Sequence, residues 1–232
     1  MVAKKRMRKH DLKEDRFVTT TFRVTSFVRE NQNTFLSILA ALVVLVIVIV
    51  VVTSSRSRSH EGAARLMGQA NMLYQAGHYH EAIQQCQSVL DQHGNTQEAG
   101  QAAFFLADSY LKLGDYQNAL ESFTLYVDKY HQDRFLMALS LTAIAACYEQ
   151  LGHFANAGDF YMKSAREYPE FFGTPESLMN AGRCFSNAGD LDAAIDSYTH
   201  VVEDFSKSRY ADDSKMLIAE LKTRLEKDFS SD

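Results

Sequence analysis

One six-residue pattern, written four times, constrains this 232-residue chain more than any other feature. Gly-x-aromatic-x-x-Ala, with Leu once in the aromatic place, occurs at Gly77-Tyr79-Ala82, Gly114-Tyr116-Ala119, Gly152-Phe154-Ala157 and Gly189-Leu191-Ala194. The glycines are 37, 38 and 37 residues apart. A fixed period of between about 20 and 50 residues marks an array of one repeated supersecondary unit. The match runs in both directions. A large apolar residue stands four before each Gly (Leu73, Tyr110, Tyr148, Phe185), and a small one seven before (Ala70, Ala107, Ala145, Gly182). Nine after come Cys86, Phe123, Tyr161 and Tyr198.

Each column has a physical purpose. The stretch before each Gly is an amphipathic helix, as in AAFFLADSYLKL (102–113). Gly ends that helix because the turn calls for a positive φ. A second helix follows, as in YQNALESFTLYVDKY (116–130). Small residues facing the Ala of the second helix let two backbones approach, and the large apolar residues fill the space around that contact. The product is an antiparallel helical hairpin whose apolar surface is too wide to cover itself, so neighbouring hairpins must stack on it. The expected fold is all-α. Only 2 Pro and 11 Gly interrupt the chain, and the absence of Trp is made good by 15 Phe and 11 Tyr.

Over roughly residues 61–207 this order of columns resembles the tetratricopeptide repeat, which implies a solenoid of about four helical hairpins. The family's early Trp is replaced by Leu66, Ala103, Leu141 and Leu178, its late Pro appears once, as Pro169, and the period is longer than the family's. The segment 210–229 sets Leu217, Ile218, Leu221 and Leu225 on one stripe and is expected to be the C-terminal capping helix. The repeat domain is taken as 61–232.

A second feature lies near the start. Residues 35–52, FLSILAALVVLVIVIVVV, hold no charge and one Ser. As a helix, 18 residues cover about 27 Å, close to the thickness of a bilayer core. The run is too long for a strand and has no polar face for a surface helix. No small-x-small cleavage site and no Cys follow it, so a transmembrane helix is expected rather than a cleaved leader or a lipoprotein. The head, 1–34, holds nine basic and four acidic residues, whereas 60–232 holds 13 basic and 25 acidic. That asymmetry favours a cytoplasmic head and an acidic body beyond the membrane. Counted close to the run, the basic residues tie, and the opposite orientation stays open. Residues 15–30 are readable as an interfacial helix or as a solvated tail. KKRMRKH (4–10) reads as a topology signal or an anionic-lipid contact rather than a nucleic-acid patch, and 53–60 as a short flexible linker.

The layout as a whole, with LKEDRFVT (12–19) and ENQN (30–33) ahead of one span and a repeat body, resembles the family of the bacterial ancillary subunit of the Sec translocon. That resemblance implies an inner-membrane protein with periplasmic repeats, associated with the secretion channel or with chaperones. A scaffold for envelope assembly or cell division, and an anchored receptor with cytosolic repeats, remain alternatives.

The repeat register also names a candidate groove on the first helix of each pair, at ten, nine, six and two residues before each Gly. In the first repeat these are Met67, Gly68, Asn71 and Gln75, and in the second Phe104, Phe105, Asp108 and Lys112. In the third they are Thr142, Ala143, Ala146 and Gln150, and in the fourth Met179, Asn180, Arg183 and Asn187. Their mix of amides, charges and aromatics suits a protein segment. Some relatives clamp a chaperone's C-terminal carboxylate with basic residues here. Met67, Leu139 and Ala143 stand where that charge is needed, which argues against such a clamp.

No nucleophile triad, carboxylate pair or phosphate loop appears, so no catalysis and no cofactor are expected. His78 and His80 form H-x-H, but His78 shares its slot with Asp115, His153 and Asp190, a generic polar turn position. Cys86, Cys147 and Cys184 lie at no metal-ligand spacing and are expected as packing residues.

Overall fold

The computed structural model describes residues 31–131 and 133–230. The basic head, with its candidate interfacial helix, falls almost wholly outside them. The chain divides into two compact units, one through Ser57 and one from Arg58.

The first helix, α1, runs Gln32–Gln75. Among the described residues it is the one helix long and apolar enough to cross a membrane. Its aliphatic residues from Leu36 to Val52 are exposed on every side. Residues 53–60, expected as a linker, are helical. They contain neither Gly nor Pro, and Thr53 Oγ1 donates back to the Ile49 carbonyl at 2.8 Å, so nothing local stops the helix.

From Arg58 onward the structure is the expected array. The helices are α2 (Tyr79–His93), α3 (Gln97–Lys112), α4 (Tyr116–Lys129), α5 (Arg134–Gln150), α6 (Phe154–Glu167), α7 (Thr174–Ala188), α8 (Leu191–Asp204) and α9 (Ala211–Ser230). Helix α3 pairs with α4, α5 with α6 and α7 with α8, and each hairpin packs on the next. Ala63, Met67 and Ala70 at the end of α1 share a buried cluster with Cys86 and Val89 of α2. Helix α9 closes the array. Its Leu221 is buried, and Leu217, Ile218 and Leu225 lean on the same core.

The turn glycines behave alike. Gly77, Gly114, Gly152 and Gly189 have φ of 78°, 75°, 80° and 86°. The residue after each Gly donates its N–H to the carbonyl five residues back, as His78 to Leu73 (2.9 Å), Asp115 to Tyr110 (3.0 Å), His153 to Tyr148 (2.8 Å) and Asp190 to Phe185 (2.9 Å). These bonds cap the orphan carbonyls that a helix leaves at its end. A Cβ on Gly114 would meet nothing within 4 Å, so only backbone strain opposes a side chain. Gly114→Ala is expected to cost about 1–2 kcal/mol, read as a lower urea midpoint with an unchanged slope.

The sequence columns become layers. Ala82, Ala119, Ala157 and Ala194 are fully buried, and so are Ala70, Ala107 and Ala145. Gly182 holds the small place in the fourth repeat because the Tyr198 ring lies against its Cα. Cys86, Phe123, Tyr161 and Tyr198 are buried beneath them. The three thiols are free. Burial pushes Cys86 and Cys184 up to about 12 and Cys147 to about 11, which makes them packing groups rather than nucleophiles.

Candidate protein-docking groove

The first helices of successive repeats lie side by side, and between three of them the surface opens into a pocket of about 530 Å³. The end of α1 supplies Ala64, Met67, Gly68 and Asn71, α3 supplies Glu98, Gln101, Phe104 and Phe105, and α5 supplies Leu136. The volume falls within the range of specific binding clefts, and the apolar walls carry a few polar groups able to fix an orientation.

The walls are held from behind. Phe104 packs edge-on against Phe123 and Tyr126, both with ring centroids 5.8 Å away. Phe105 meets Tyr74 edge-on at 4.9 Å. The Tyr74 hydroxyl donates to the Asp108 carboxylate, and its burial together with that bond raises the phenol well above its ordinary range. Gly68 lines the pocket, and an added Cβ there would meet nothing within 4 Å.

The structure thus gathers Met67, Gly68, Asn71, Phe104 and Phe105 of the candidate residues into one pocket. Asp108 lies beside it but is engaged with Tyr74. Gln75, Lys112, Gln150 and Asn187 stand at the far ends of the first helices and line no part of it. Asn180 and Arg183 belong to a separate site at the junction of the third and fourth repeats. There Arg183 forks onto Glu149, with Nη2 to Oε2 at 3.0 Å, and Nη2 also reaches Asn180 Oδ1 at 3.2 Å.

The wall residues Ala64, Gln101, Glu98 and Leu136 were outside the sequence register. They stand 13 or 16 residues before their turn glycines, one helical turn or two beyond the positions taken. Continuing the three-to-four spacing would have found them. The partners of Asp108 and Arg183 follow a rule too. Tyr74 and Glu149 each stand three before a turn Gly, and Asp108 and Arg183 six before the next. At the middle junction these places hold Leu111 and Ala146, which have no polar side-chain group.

The hydrogen bond from Arg183 holds the Glu149 carboxyl below its ordinary value of 4.5. A carboxyl depressed in the folded state stabilises the fold above that value, and the contribution is lost as pH falls below it. Glu149→Gln is therefore expected to lower stability at neutral pH and to flatten the acid arm of the stability–pH profile, measured by denaturant titration at successive pH values.

Models of the tetratricopeptide repeat match residues 67–134, 138–171 and 176–208. The chain belongs to the tetratricopeptide repeat family. Such repeats are typically non-catalytic scaffolds that bind other proteins or peptides. A search of curated proteins finds no match. Among solved structures, a tetratricopeptide repeat protein from Parabacteroides merdae is 17% identical, with a TM-score of 0.59, over 70% of this chain and 60% of that one. The apo form of RapI is 16% identical at a TM-score of 0.56, over 68% and 46%. MamA of AMB-1 is 18% identical at 0.54, over 70% and 82%. At such identities the likeness concerns the fold of this tetratricopeptide repeat protein alone.

Proposed function

We propose that this tetratricopeptide repeat protein is a membrane-anchored docking module that binds a segment of a partner protein in the groove between the first helices of repeats one to three. The observation that carries the reading is the pocket itself, open, apolar-walled and preformed, with Asn71, Gln101 and Glu98 around Phe104 and Phe105. The all-round apolar surface of α1 from Leu36 to Val52 supports an anchor. Tethering raises the local concentration of a weak binding surface beside partners in the same membrane. The basic head and acidic body support a cytoplasmic N-terminus and repeats on the far side, and the layout supports a role in protein secretion or chaperoning at the cytoplasmic membrane.

A photo-crosslinking residue at Asn71, in the full chain in its own membrane, tests the groove. The expected outcome is a discrete adduct that disappears when Gly68 is replaced by Leu. An adduct indifferent to that replacement places the partner elsewhere on the surface. A periplasm-active reporter at the C-terminus tests the orientation, because its activity requires export.

A further inference from the structure

We infer that the edge of the array carrying Phe135 and Phe172 is a membrane-contacting edge, inserting aromatic side chains into the interfacial layer of a bilayer with neutral, zwitterionic headgroups. This rests on the anchor reading above and adds to it a lipid site within the repeats.

Three aromatic rings cluster where α5 begins and α6 gives way to α7. Phe135 meets Phe171 at 5.5 Å and stacks on Phe172 at 6.1 Å, and Phe171 and Phe172 are 4.7 Å apart. Phe171 is buried, whereas Phe172 is 79% and Phe135 50% exposed. The exposure is built in. The N–H of Phe171 donates to the Tyr168 carbonyl and that of Thr174 to the Phe171 carbonyl, both at 3.0 Å, while Thr174 Oγ1 donates to the Tyr168 carbonyl at 2.9 Å. These bonds hold Phe171 inward, and its neighbour Phe172 is left in solvent.

The position of this cluster says what covers it. Side-chain contacts run along one edge of the repeat unit. Ser59 Oγ lies 3.0 Å from His93 Nδ1, His60 bonds Glu98 at 2.9 Å, and the Tyr130 hydroxyl donates to the Gly94 carbonyl at 2.9 Å. Arg134 then pairs with Glu170, beside the aromatic rings. The edge that displays Phe135 and Phe172 is therefore the edge that holds Ser59 and His60, where the chain enters the repeats. Only residues 53–57 separate the apolar run from the repeat unit. Even fully extended they reach about 20 Å, so chain length alone holds the start of the repeat unit, where this edge begins, within that reach of the end of the run. Exposed aromatic rings are favoured at the level of the headgroups. The nearby guanidinium of Arg134 is matched by Glu170, so the contact is one of apolar insertion and not of attraction to anionic lipid.

The chain has no Trp, so a single one is a clean reporter. The test uses the full-length protein with Phe172→Trp, reconstituted into phosphatidylcholine vesicles with and without brominated acyl chains. His78→Trp, at an exposed turn on the opposite edge, is the control. The expected result is blue-shifted emission from the Phe172→Trp protein that brominated lipid quenches, and neither effect for the control. Adding Phe135→Ser is expected to weaken the quenching. Emission from the Phe172→Trp protein as red and as unquenched as the control's, in vesicles that carry the protein on flotation, overturns the inference and leaves a protein surface as the occupant. Failure of the protein to float with the vesicles overturns the anchor reading and this inference with it, and flotation tells the two failures apart.

Discussion

Phe123→Ala is expected to destabilise the repeat unit by about 3–5 kcal/mol, the range for emptying a buried aromatic site. Phe123 is 1% exposed and is among the largest fully buried side chains of the array. It shares a buried cluster with Ala107 and Ala119, the small residues of the two helices of the second repeat. Its ring also supports Phe104, so the substitution removes the back wall of the groove along with core volume. A typical domain has about 5–15 kcal/mol in reserve, so a loss of this size removes a large share of it. The check is urea denaturation of the full chain in mild detergent, followed by far-ultraviolet circular dichroism. A midpoint within error of the parent would mean that the layer is not the continuous core described here.

Gly68→Leu is expected to do the reverse to stability while abolishing docking. Gly68 stands inside a helix without needing a glycine's backbone freedom, and an added Cβ meets open space. Replacing an interior helical Gly by a good helix former is worth about 0.5–1 kcal/mol in stability. The new side chain projects into the pocket between Met67, Asn71 and Phe104, in the space a partner's side chain would use. Affinity for a groove-bound partner should fall at least about tenfold, equivalent to ~1.4 kcal/mol. The informative measurement pairs thermal stability with crosslinking from Asn71 in the same variant. A more stable protein that no longer crosslinks separates occlusion of the groove from unfolding, which a substitution at Phe104 could not do.

The repeat architecture was legible because each of its determinants is local. A turn Gly at positive φ, an Ala five residues on and a large apolar residue at either side all act within one hairpin, and four aligned copies make chance agreement implausible. The lining of the groove was legible only in part. Asn71, Phe104 and Phe105 follow from the register, but Glu98, Gln101, Ala64 and Leu136 lie a helical turn or more earlier. Lys112 and Gln150, taken from the same register, sit too far toward the helix ends to reach the pocket. Which first-helix positions share a cavity depends on how far each hairpin is rotated and shifted against the next. No column within a single repeat carries that quantity.

The amino-acid sequence alone determined that the chain forms stacked helical hairpins behind an all-apolar segment, because helix period, chain reversal and hydrophobic run length are written in residues close to one another. Tertiary structure alone decided that Tyr74 binds Asp108, that Glu149 grips Arg183, that Phe172 is left in solvent while Phe171 is buried, and that a pocket opens over Gly68. The hydroxyl contact and the ion pair each join residues 34 positions apart on adjacent repeats. Their existence is set by packing between hairpins, where a displacement of about an ångström makes or breaks a hydrogen bond while leaving every hydrophobic column satisfied.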